Sequence, residues 1–190
     1  CEKAESRGWL ESATGRPFCA VPDQALLLFC FPNDMALSGL ELVTNRKKMQ
    51  RTLYAHVISH PETEWRLSDS RMVITPIRFK PEKRAVLRIE TKAVNRSSGE
   101  KQLFRIYARV SNNPQARQVA ELMNRIHGEI AGHPYLRTPP SLAFLADSGV
   151  TLVPDAGGQE MFVDQVGVNA AAKALFVLHG LGTADLPTRE

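Results

Sequence analysis

The chain has 190 residues, enough for one domain or for one domain and part of a second. With 43% hydrophobic and 23% charged residues it is close to the globular average, which argues against a disordered tail, and its longest apolar stretch, residues 25–31, is far short of the ~20 residues of a membrane helix. Lys and Arg number 24 against 20 for Asp and Glu, a formal charge of +4 scattered along the sequence, which permits nucleic-acid binding without pointing to it.

The first 30 residues hold all three cysteines, Cys1, Cys19 and Cys30, without a CxxC metal spacing. They fit one disulfide or three free thiols equally, and Cys1 fits either a lipidated start or an arbitrary cut. The run ALLLFCF, bounded by Pro22 and Asp23 on one side and Pro32, Asn33 and Asp34 on the other, predicts a short buried strand rather than the apolar core of a signal peptide.

From residue 40 the pattern predicts consecutive short strands. Leu40, Glu41, Leu42 and Val43 lead to the turn-forming Asn45, and Leu53, Ala55 and Val57 alternate with Tyr54, His56 and Ile58. Val73, Thr75, Ile77 and Phe79 share a face of another strand, in which Pro76 removes a ladder donor and marks an edge, a strand switch or a bulge. Residues 84–91 form the next strand, residues 95–99 a polar loop, and residues 103–110 the cleanest alternation, with Phe104, Ile106, Ala108 and Val110 opposing Arg105, Tyr107 and Arg109.

One helix interrupts the series. Asn112 or Asn113 can cap it, Pro114 suits its start, Ala116, Val119, Ala120, Met123, Ile126 and Ile130 form its apolar stripe, and Gly132 ends it. Leu142, Phe144, Val150 and Leu152 then read as one strand with a bulge at residues 147–149, and residues 161–168 and 174–178 as two more strands. The expected fold is mainly β: an immunoglobulin-like antiparallel β-sandwich with one amphipathic helix and an incomplete second β domain. Its divisions are an N-terminal segment with the first strand (1–39), the sandwich (40–154) and the start of a truncated second domain (155–190).

Chemistry-bearing motifs are sparse. His56 and His60 stand four apart, but on a strand that spacing does not close on one ion, so no metal site is expected. FVLHGLG at residues 176–182 is similar to the oxyanion-hole strand of α/β hydrolases, yet the chain has no G-x-S-x-G nucleophile elbow. It has no phosphate-binding or dinucleotide-binding glycine motif and no carboxylate pair with separated acidities. The reading is therefore a binding protein without cofactor, not an enzyme.

Residues 73–89, VITPIRFKPEKRAVLRI, and 102–110, QLFRIYARV, resemble the first domain of the periplasmic pilus chaperones of the chaperone–usher pathway. Thr75, Pro76, Phe79, Pro81, Leu87, Arg88, Ile89, Phe104 and Tyr107 carry the likeness, and residues 41–45 and 53–58 resemble the family's earlier strand pair. The resemblance implies a periplasmic chaperone. Such a protein lends an edge strand to pilin subunits by β-augmentation and delivers them to an outer-membrane usher, with self-association through the same edge as a further option and no nucleic-acid partner. The donor strand would be residues 141–153, with Leu142, Phe144, Val150 and Leu152 as the donated side chains. Two alternatives stand beside it: a structural or adhesive β-sandwich lipoprotein anchored at Cys1, and a truncated α/β-hydrolase-like protein.

Overall fold

A computed structural model describes residues 18–58, 65–67, 72–133, 136–157 and 165–180. In chain order its elements are β1 (Phe18–Val21), β2 (Leu26–Phe29), α1 (Gly39–Thr44), and α2 (Arg46–Leu53), which runs into a π turn (Tyr54–Ile58). Next come β3 (Trp65–Leu67), β4 (Val73–Lys80), β5 (Arg84–Asn95), β6 (Lys101–Ser111) and α3 (Ala116–Glu129). The last are β7 (Ala143–Leu145), β8 (Val150–Pro154) and α4 (Gln165–Gly180).

β1 and β2 pair with each other, and the other six strands form one antiparallel sheet. Its frame is the meander β4–β5–β6. The 12 residues of β5 take β4 along their first half and β3 along their second, while β6 covers the opposite side. β8 pairs with β6, and β7 closes the far end. The period-2 pattern of the sequence determines which residues point where. Ala85, Leu87, Ile89, Thr91 and Ala93 of β5, Ile106, Ala108 and Val110 of β6, and Val150 and Leu152 of β8 are buried on one inner face. Register stacks them in rows, Leu87 beside Ala108 beside Leu152, and Ala85 beside Val110 beside Val150.

The layer over that inner face is helical. Leu40 and Val43 of α1 and Met49 and Leu53 of α2 complete the core with the strands, each burial contributing roughly 1.5–3 kcal/mol. Residues 40–43 and 53–58, expected as strands, are thus helix and π turn. The reason is local: the Asn45 side chain accepts a hydrogen bond from the Lys48 amide at 3.1 Å and caps a run of helix formers, and the apolar positions recur at three and four. Tyr54 then ties the π turn to β3, its hydroxyl accepting from the Leu67 amide at 2.9 Å and donating to the Leu67 carbonyl at 3.1 Å.

The mainly β, antiparallel character holds, but among the described residues the second layer of an immunoglobulin-type sandwich is not a sheet. The expected single bulged strand at 142–152 is a hairpin instead. A one-turn helix at Ala146–Ser148 and Gly149, at φ +60°, reverse the chain between β7 and β8. The expected strand at 174–178 lies inside α4, as do residues 165–168; residues 161–164 lie outside the described residues. Three other elements fall where expected along the chain. β2 falls within the run 25–31, and β4 carries its irregularity between Pro76 and Arg78. α3 ends before Gly132 at φ +82° as expected, but its N-cap is Gln115, with no side-chain cap bond; Asn113, expected as a cap, accepts from the Gln115 amide in the turn before the helix.

Candidate functional site

The sheet ends at β7 on one side and at β3 and β4 on the other. β7 is three residues long. β4 is eight residues long and pairs only with β5, so among the described residues no strand occupies its far side. Val73 and Ile77 stand 51% exposed on it, while Ile74 and Phe79 turn toward the core, Phe79 in edge-to-face contact with Phe31 at 5.3 Å. Pro76 and the adjacent bulge interrupt the edge, and Arg78 and Lys80 flank it, devices that discourage indiscriminate sheet-to-sheet pairing without closing the edge. The end of β4 is fixed by its turn: Asp34 Oδ2 accepts from the Glu82 amide at 2.7 Å, and Glu82 itself has φ +61°.

The four residues expected on the donor strand fall on two strands. Val150 and Leu152 belong to β8, an interior strand between β6 and β7, and both side chains are fully buried. Neither its backbone nor its side chains are available to another chain. Leu142 precedes β7, donates its amide to the Leu152 carbonyl at 2.8 Å and packs against the core. Phe144 faces the opposite side of the sheet, opposite Thr151, with the Arg117 guanidinium of α3 over its ring at 5.4 Å. The available edge thus sits on the first strand of the meander, and the β7–β8 hairpin is committed to the chain's own sheet.

The outer face of the meander is charged. Alternation against the buried rows places Arg84, Arg88, Glu90 and Lys92 of β5 on it, with Lys101, Arg105, Tyr107 and Arg109 of β6. Glu90 joins both strands. Its Oε1 accepts from Arg105 Nε at 2.9 Å, and its Oε2 lies 3.2 Å from Arg88 Nε, in ion-pair range but off the hydrogen-bond direction. Arg105 also donates to Asp155 Oδ2 at 2.9 Å. The Arg105 bond, joined by the Gly157 amide, holds the Asp155 carboxyl below the usual carboxylate range. Its reciprocal partner rises: the bonds to Asp155 and Glu90 push the Arg105 guanidinium further up.

α3 covers the β7–β8 end of this face, where Asn124 Oδ1 accepts from the Ser141 amide at 2.6 Å. Beyond its C-terminal end lies an open cleft of about 500 Å³ lined by His127, His133, Arg137, Pro154 and Asp155 among others, with His127 Nδ1 2.6 Å from the Thr138 carbonyl. Among the described residues no three His, Cys, Asp or Glu side chains group as metal ligands, His56 lies on the π turn, and His60 is outside the described residues. Phe176 to His179 lie within α4, so the strand that an oxyanion segment requires is not formed there. Cys30 is a free thiol, and Cys1 lies outside the described residues. No described helix is long and apolar enough to cross a membrane. Comparison with protein-family models, with curated proteins and with solved structures finds no match.

The sequence locates β4 and, through Pro76, an irregularity in it, but the register shift between Pro76 and Arg78 puts Phe79 on the inner face, so it does not share a face with Val73 and Thr75 as the alternation predicts. What it could not supply was strand order, which decides that β4 is an edge and β8 is not.

Proposed function

We propose that this chain is a polypeptide-binding module that works by β-augmentation, in the manner of the pilus chaperones its strands resemble, with β4 as the pairing edge. The observation that carries the reading is an eight-residue strand paired on one side only, with two large apolar side chains left half-exposed on it. Main-chain hydrogen bonds from such an edge supply affinity, and alternate side chains supply specificity. In the chaperone form of the reading the compartment is the periplasm, the occupants are pilin subunits lacking a strand, and an usher receives the complex. The three strands that carry the family likeness, residues 73–110, are the meander that holds β4 in place.

The test is binding of a strand-deficient pilin subunit, and of an array of short extended peptides, to the chain and to its Val73→Thr/Ile77→Thr variant. Both positions are surface sites where threonine keeps strand propensity, so stability should move by no more than about 0.5 kcal/mol per site. Binding is expected to weaken roughly tenfold as two apolar contacts are lost. Binders whose affinity is indifferent to the double substitution, or no binder in either set, would contradict the reading.

A further inference from the structure

We infer that the segment seated on β4 is acidic, with carboxylates on the side that continues the outer face of the sheet; the inference rests on the β4 pairing proposed above. Cations that look scattered in the sequence are gathered by the pleat. The outer face of β4, β5 and β6 holds eight of them, and the only carboxylates against it from these strands and β8 are Glu90 and Asp155, already engaged by Arg88 and Arg105. Arg78, Lys80, Arg84, Lys92, Lys101 and Arg109 have no carboxylate within ion-pair distance among the described residues. Among the described residues that is an excess of six positive charges on one face. α3, over the β8 end, sets Glu121 and Glu129 against Arg117 and Arg125 and leaves the excess unchanged.

Register makes the expectation specific. Val73, Arg78 and Lys80 pair with Glu90, Val86 and Arg84, so all three lie on the outer face at the edge itself. A strand laid on β4 brings its own outer-face residues to roughly 4.5–5.5 Å, Cβ to Cβ, from them. An apolar residue suits the place beside Val73, and carboxylates suit those beside Arg78 and Lys80. The cation excess that the described residues place behind the edge adds steering toward an acidic partner. A single-stranded nucleic acid is the weaker match. Such ligands stack successive bases on several rings, and the outer face of the meander offers Tyr107 alone.

The full chain is titrated with three extended peptides of one apolar alternation, carrying Glu, Gln or Lys at the outer-face positions, and with an oligodeoxythymidine, at low and high salt. Amide shifts of residues 73–80 are followed in parallel. Two favourable cross-strand charge pairs should make the Glu peptide roughly three- to tenfold tighter than the Gln peptide at low salt, with Lys weakest and the gap narrowing at high salt. Arg78→Glu/Lys80→Glu should invert the order. Equal affinities for Glu and Gln with β4 amides shifted would overturn the acidic segment and spare the edge pairing. Peptides that leave the β4 amides unmoved would remove the pairing itself, and tighter binding of the oligonucleotide than of the Glu peptide would assign the face to nucleic acid.

Discussion

Asp155 joins the end of β8 to the outer face through one guanidinium. Because the Arg105 bond and the Gly157 amide lower its pKa in the folded state, its ionised form stabilises the fold at any pH above the ordinary carboxylate value, and that stabilisation fades as pH falls through the depressed value. Asp155→Asn should therefore lower the thermal midpoint at neutral pH, with the difference from the parent chain shrinking in acid. Thermal denaturation across pH checks this; a difference that is constant or grows on acidification would contradict the pairing. The group is solvent-accessible and screened, so the effect should be small and salt-sensitive.

At the scale of elements, the approach of α1 to the β7–β8 turn depends on Gly39. A Cβ built there would stand 2.3 Å from the Ser148 carbonyl oxygen and 2.6 Å from Val150 Cγ2. Gly39→Ala should cost roughly 1–3 kcal/mol by chemical denaturation, whereas Gly128→Ala, inside α3 with nothing within 4 Å, should gain up to about 1 kcal/mol. An unchanged Gly39→Ala would mean that α1 does not lie against the hairpin. The same contact explains what was legible beforehand. β5 and β6 announce themselves because one face is buried and the other solvated, so polarity alternates along each, whereas in β4 the shift between Pro76 and Arg78 breaks the alternation. Residues 40–58 do not, since Met49 and Leu53, four apart, satisfy either period, and the helical signals are only the three-residue spacing of Leu40 and Val43 and the Asn45 cap. In residues 146–149 the sequence Ala-Asp-Ser-Gly is a helical turn closed by a left-handed glycine, a hairpin signal that resembles a bulge when strand order is unknown.

Among the described residues, one sheet is shielded on its inner face by helices and is left charged on much of its outer face, with its longest unpaired margin at β4. Strand order, fixed by contacts far apart in sequence, moves the proposed pairing edge from residues 141–153 to residues 73–80, and the pleat gathers scattered basic residues on one face. Neither could be read from one-dimensional pattern. The most direct test is amide hydrogen exchange over residues 73–80 and 143–154 in the full chain, alone and with a bound extended peptide. The expected result is fast exchange for alternate β4 amides in the free chain, strong slowing of those amides on binding, and no change along β8. Slow exchange throughout β4 in the free chain, or new protection confined to residues 143–154, would contradict it.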